Sequence, residues 1–262
     1  VTKAFRIGIF GAMKNIIKPF YPFLTILALL FAHPVFANEW QVIPIRLDLD
    51  RATKSGVLTI KNKGDEALNV QIKAFEWSQD TNGKDQYSET ADLIFLPRIA
   101  TIEKQADQLV RAAIKVPATA KEKTYRLFIE EIPKARKAES TGVAIAVRFG
   151  VPIFVKPLKE EIRGEIAKME LAKGVLSVTV KNTGNIHFNT NSLVVRMQNS
   201  KGEEVFTKDI KGWYLLSDIS RDHVVPLPEK ACLEAVVAEI EIKADKLNLK
   251  RRLDIKKTMC MP

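Results

Sequence analysis

Residues 141–157 read TGVAIAVRFGVPIFVKP, and the fold turns on how this stretch is placed. Its odd positions are Val143, Ile145, Val147, Phe149, Val151, Ile153 and Val155, all apolar. Successive side chains of a strand point to opposite faces, so a period of two puts the whole set on one side. The even positions up to Gly150 are Gly142, Ala144, Ala146, Arg148 and Gly150, mostly small, so the other side can pack closely. Pro152 has no N–H to give to a ladder, which predicts an edge strand or a bulge at that point. On periodicity alone, a central sandwich strand and a strand kept available for another chain are both open. A long apolar edge is ordinarily suppressed by charges or a covering element. This stretch carries no such suppression.

The residues before it predict a series of short strands. Residues 42–49 form one strand with Pro44 near its start. Residues 56–61 (GVLTIK) alternate and stop at Asn62, Lys63 and Gly64, a turn signal. Residues 68–77 place Leu68, Val70, Ile72 and Ala74 on one face, and a polar loop over 78–89 follows. Strands are predicted at 93–95, 109–114 and 125–129, the last with Tyr125, Leu127 and Ile129 on one face. A charged loop over 134–141 leads into the organising stretch. Short strands at this spacing, without a 3.6-residue period, fit an immunoglobulin-like sandwich.

After Pro157 the run LKEEIRGE is charged and poor in apolar residues, as a domain boundary should be. Then a pattern returns. Residues 174–184 (GVLSVTVKNTG) echo residues 56–64 (GVLTIKNKG), each an alternating strand stopped by Asn-x-Gly. Further strands are predicted at 193–197, 204–210, 213–216, 224–227, 233–242 and 253–255. The expectation is an all-β chain with a second, smaller sandwich.

Of the 262 residues, 46% are hydrophobic and 27% charged, enough for a core in one large or two ordinary domains. The net charge of +10 is spread over the chain, with no interleaved stacking aromatics, which points away from nucleic acid. Residues 1–37 read as a signal peptide. Lys14 and Lys18 precede the apolar run 20–32, and Val35, Phe36 and Ala37 offer a cleavage site after Ala37. An uncleaved anchor is the competing reading; no later run is long and apolar enough for a membrane helix. The expected boundaries are 1–37 for the leader, 38–157 for the first domain and 158–262 for the second. Export implies an oxidising compartment, where Cys232 and Cys260, the only cysteines, can form one disulfide or remain two buried thiols.

Little in the chain carries chemistry. His187 and His223 sit alone in polar loop contexts, and there is no GxSxG, HExxH or Walker pattern. No catalytic residue, metal or cofactor is expected. The informative residues are arginines inside apolar strands: Arg46, Arg126 and Arg148. A guanidinium there needs an internal carboxylate, an exposed tip, or an anion supplied by a partner. A planar bidentate donor suits a terminal carboxylate.

Taken together, these pieces resemble the PapD-like periplasmic chaperones that assemble pili. The resemblance rests on residues 44–62, on Trp77, Ser78 and Gln79, on Leu96, Pro97 and Arg98 with the later Gln108, Leu109, Val110 and Arg111. It rests also on Tyr125, Arg126 and Leu127 leading to Glu131, Ile132 and Pro133, and on Val151, Pro152, Ile153, Phe154 and Val155. The Trp-x-Gln, Tyr-Arg and Pro-Ile-Phe-Val forms look most like the archaic, or alternative, branch.

The resemblance implies two immunoglobulin-like domains arranged as an L, no enzymatic activity, and pilus subunits and an outer-membrane usher as partners. It implies a donor strand that fills a subunit's groove, with Val143, Ile145 and Val147 as the inserted set. It implies that the subunit's terminal carboxylate docks on basic residues. Arg46 falls at the family's first-strand arginine, whereas the family's donor-strand lysine falls at Pro152, leaving Arg126 and then Arg148 to complete the anion site. The location implied is periplasmic, with no membrane association after signal cleavage, and self-association through the donor edge is open. The alternative is a two-domain immunoglobulin-like surface or adhesive structural protein.

Overall fold

The computed structural model describes residues 39–133 and 145–261. The expected leader and Val143 lie outside these residues. Strands are numbered in chain order. In the first half, β1 (Trp40–Ile43), β3 (Ser55–Asn62), β8 (Asp107–Ile114) and β6 (Leu93–Leu96) form a four-stranded sheet in that order. Facing it is a sheet ordered β2 (Leu47–Leu49), β10 (Arg148–Val155), β9 (Lys123–Glu131), β4 (Leu68–Gln79) and β5 (Asp85–Glu89). Strand β7 (Ile99–Ile102) pairs with the start of β4. The alternation read from the sequence sets the core. Leu58 and Ile60 of β3, Val110 and Ala112 of β8, Leu127 and Ile129 of β9, and Ile153 and Val155 of β10 are buried in one cluster.

Residues 42–49, expected as one strand, are two strands in different sheets. β1 pairs antiparallel with β3, and β2 pairs parallel with β10. Pro44 lies in the crossing, where no ladder N–H is needed. The loop expected over 78–89 is also corrected: β4 runs on to Gln79, and β5 forms from residues that are mostly exposed. A polar strand with one neighbour leaves no hydrophobic alternation to read.

The second half is a smaller sandwich. One sheet is ordered β11 (Gly164–Ala172), β12 (Val175–Asn182) and β16 (Ser220–Pro226). The other is ordered β14 (Glu204–Lys211), β13 (Phe188–Gln198), β17 (Val237–Ala244) and β18 (Asn248–Asp254), with β15 (Tyr214–Leu215) on β13. Between them lie Leu176, Val178 and Val180 from one side and Val195, Met197, Ile240 and Ile242 from the other. Strand β11 escapes the sequence reading because its register shifts between Ile166 and Lys168, which breaks the period of two. Residues 233–242, expected as one strand, begin in the helix α1 (Glu229–Glu234) and become strand only at Val237. Cys232, on α1, is bonded to Cys260 at a Cα–Cα distance of 5.8 Å, which ties the chain's end to this core.

The two Asn-x-Gly stops are equivalent in space as well as in sequence. Asn62 ends β3 and Asn182 ends β12, and both are buried. Each accepts the N–H of the following glycine, Gly64 at 3.0 Å and Gly184 at 2.9 Å. These residues are therefore interior plugs as well as turn formers.

Candidate functional site

The site is built on β10. On one side it pairs along its whole length with β9, from Arg148 opposite Glu130 to Val155 opposite Lys123. On its other side β2 reaches only Ile153, Phe154 and Val155. Among the described residues, no strand pairs with 148–152 on that side, so this main chain is an open edge. Pro152 sits where that edge begins, as a residue without an N–H can.

The odd positions of β10 face this molecule's own core. Val151, Ile153 and Val155 are buried in it, and Phe149 packs edge-on to Trp40 at 4.5 Å. Of the expected inserted set, Val147 is half-buried at the margin of that core, and its carbonyl accepts the Glu131 N–H at 3.0 Å. Ile145 is bare, at 80% exposure. Among the described residues the regular strand starts at Arg148, and residues 145–147 run on from it as extra chain.

The even positions face the other way, and Phe154 among them packs against His187 and Leu216 of the second sandwich. Gly150 lies under the Phe128 ring, where a Cβ would come within 2.8 Å of it. The three arginines belong to this outer face. Arg148 pairs with Glu130 at 2.8 Å and stacks on Phe128 at 3.6 Å. Arg46 pairs with Asp48 at 2.8 Å and remains partly exposed. Arg126 is opposite Pro152 on β9, and the parallel register that sets Leu47 beside Ile153 brings Arg46 to the other flank of Pro152. Arg46 and Arg126 thus bracket the proline, while Arg148 lies four positions up the edge with a carboxylate of its own.

Arg126 is the exception among the three. It is 5% exposed, donates from Nη1 to the Gly150 carbonyl at 2.9 Å, and has no partner for Nε or Nη2. Burial pushes its pKa below the ordinary arginine value. Its guanidinium carbon lies 3.9 Å from the Trp77 ring, 5.5 Å from Trp213 and 5.7 Å from Tyr214.

These rings belong to the junction between the sandwiches. Trp77, Phe154 and Leu216 are buried together, with Tyr214 against them. Gln79 receives the Leu216 N–H at 3.0 Å and donates to the Tyr214 carbonyl at 2.9 Å. His187, expected in a polar loop, is buried instead. It stacks on Phe154 at 3.6 Å, and Nδ1 meets Glu122 at 2.8 Å. Trp77 and Gln79 were singled out only through the Trp-x-Gln resemblance, because the loop expected over 78–89 hid that Gln79 continues β4 and shares a face with Trp77. Trp213, Tyr214 and the burial of His187 carry no local pattern that could have revealed them.

Among the described residues, no three His, Cys, Asp or Glu side chains gather as a metal site, and no helix is long and apolar enough to cross a membrane.

Residues 40–160 match the family described as pili and flagellar-assembly chaperone, PapD N-terminal domain. No curated protein matches the chain. Solved structures do resemble it in fold. One is the CsuC–CsuE chaperone–tip adhesion subunit pre-assembly complex of the archaic chaperone-usher Csu pili of Acinetobacter baumannii. The match has 18% identity and a TM-score of 0.57, over 80% of this chain and 98% of that one. The Salmonella enterica SafA pilin in complex with the SafB chaperone matches at 13% identity and a TM-score of 0.55, over 85% and 99%. The E. coli chaperone DraB matches at 18% and 0.50, over 84% and 97%.

Proposed function

We propose that this chain, whose residues 40–160 match the family described as pili and flagellar-assembly chaperone, PapD N-terminal domain, stabilises pilus subunits in the periplasm by lending them a strand and delivers them to an outer-membrane usher. In this reading the leader over residues 1–37 is removed on export, residues 38–157 form the lending domain and residues 158–262 the second. The observation that carries the reading is the open edge of β10 continuing into bare Ile145. A subunit lacking its last strand can pair its main chain with such an edge and take alternate side chains into its groove. Val143, Ile145 and Val147 are the inserted set, each contributing about 1.5–3 kcal/mol when buried. A slip of one residue would present Ala144 and Ala146 instead, so register is strongly specified.

The subunit's terminal carboxylate docks between Arg46 and Arg126, which bracket the position where the family's lysine would stand. Arg148, committed to Glu130, is the weaker candidate. Folding free energy of the subunit is held in part by the chaperone and released when another subunit's extension replaces the lent strand, without ATP.

The test is co-purification with a subunit from a periplasmic extract. Ile145→Asp abolishes it while leaving the chaperone's own unfolding midpoint unchanged, since the residue is exposed in the free protein. Normal subunit capture by that variant would remove strand lending from the account. Arg46→Ala and Arg126→Ala each weaken capture; wild-type capture by both would move the carboxylate site elsewhere.

A further inference from the structure

Arg126 is poorly satisfied for a buried cation. Arg46, Arg148 and Arg196 each face a carboxylate, at 2.8, 2.8 and 3.0 Å. Arg126 has one carbonyl and aromatic faces, and the nearby Asp85 carboxylate is taken by Gln79, Tyr87 and Trp213. Cation–π contact offsets part of the cost of burial, but two N–H groups hidden from water without acceptors remain costly. The two in question are Nε and Nη2. They are the adjacent, parallel pair along one side of a guanidinium, the pair that meets both oxygens of a carboxylate at once.

The walls of the enclosure differ. Trp77 is 1% exposed and packed in the junction core, so it cannot move cheaply. Trp213 is 43% exposed. Its main chain is fixed: the Trp213 carbonyl accepts the Thr190 N–H at 3.0 Å, and Gly212 lies so close to the Thr190 carbonyl that no side chain fits there. Its ring is held by less, an edge contact with Tyr214 and one N–H bond to Asp85 at 3.0 Å. Asp85 is held in place from the first sandwich by Gln79, at 2.9 Å.

We propose that Arg126 is a covered carboxylate site and that Trp213, latched to Asp85, is its cover. The Trp213 ring swings away as a chain-terminal carboxylate enters and takes Nε and Nη2 as a fork. The inference rests on the reading above that Arg126 receives a subunit's terminus, and it makes the second sandwich a determinant of how tightly that terminus is held.

The experiment uses the mature two-domain chain, labelled with ¹⁵N, with the Trp213 indole N–H signal assigned by Trp213→Phe. The probes are acetate, an apolar peptide ending in a free carboxylate, and the same peptide amidated. The free-acid peptide shifts the Trp213 signal saturably, acetate does so more weakly, and the amide leaves it unmoved. Trp213→Ala binds the free-acid peptide about ten-fold more tightly, the gain expected if the uncovered state is populated about one-tenth of the time. Arg126→Gln loses the preference for acid over amide. If Arg126→Gln loses that preference but the Trp213 signal is silent and Trp213→Ala binds as wild type, the cover is overturned and the anchor stands. If no variant prefers acid over amide, the anchor falls and the cover with it.

Discussion

Asn62 and Asn182 hold the same post in the two sandwiches. The Asn62 amide donates to the Glu66, Ile102 and Glu103 carbonyls at 2.8, 3.0 and 3.1 Å. The Asn182 amide donates to the Ile186 and Leu215 carbonyls at 2.9 and 3.0 Å. Each closes the end of its sandwich from inside.

Replacing either by alanine strands buried carbonyls, at about 1–3 kcal/mol for each group left unpaired. Asn62→Ala and Asn182→Ala should each lower stability by about 2–4 kcal/mol in urea unfolding. The first should loosen amide-exchange protection in β3 and β8, the second in β12 and β16. A loss below about 1 kcal/mol in both would mean that the plugs are ornamental.

The stack of Phe154 on His187 joins the strand β10 to the second sandwich. Phe154 is fully buried, so Phe154→Ala should cost about 3–5 kcal/mol. It should also separate one unfolding transition into two, as the sandwiches lose their shared core. Calorimetry reads both effects, and a single unshifted transition would contradict them.

The Cys232–Cys260 bond closes a loop with a sequence separation of 28. Loop-closure entropy at that length gives about 3–4 kcal/mol in the chain-entropy account. Cys232→Ser with Cys260→Ser, or reduction of the native protein, should therefore lower the unfolding midpoint and loosen amide-exchange protection more in β17 and β18 than in β9 and β10. Equal loosening in both sandwiches would count against this account.

Glu241 has its pKa lowered to about 2, first by the Arg196 hydrogen bond and then by Asn248, with Lys250 adding to it. A carboxylate depressed in the folded state stabilises fully above its ordinary value near 4.5 and loses that contribution as pH falls toward 2. Glu241→Gln should therefore cost stability at pH 7 and less at pH 3. Unfolding midpoints at the two pH values check the sign, and a larger loss at pH 3 would reverse it.

The alternating strands were legible in the sequence where one face is buried and the other wet. Leu58 and Ile60, or Leu176 and Val178, declare themselves by period alone. Strand β5 did not, because both its faces are largely exposed. Strand β11 did not, because a bulge shifts its phase. At the site, the arginines were visible as charges inside apolar runs, but their partners were not. Nothing local shows that Arg148 has Glu130, that Arg46 has Asp48, or that Arg126 is left with tryptophans. Those pairings are decided by register between strands distant in sequence, and in the case of Trp213 by packing across the junction. The reading of residues 141–157 as one continuous strand joined two different things. From Phe149 onward the odd side chains serve this molecule's own interior, Val147 lies at its margin, and Ile145 is bare.

That division has a mechanical consequence. β10 behaves as a cantilever, clamped by β9 along its length and by β2 over its last three residues, with residues 145–147 overhanging its start. In the proposed loan the lender would give up only the marginal contacts of Val147 and would keep Val151, Ile153 and Val155 in its own core. Such a carrier could emerge from each delivery in the state in which it began, ready for the next cargo without refolding.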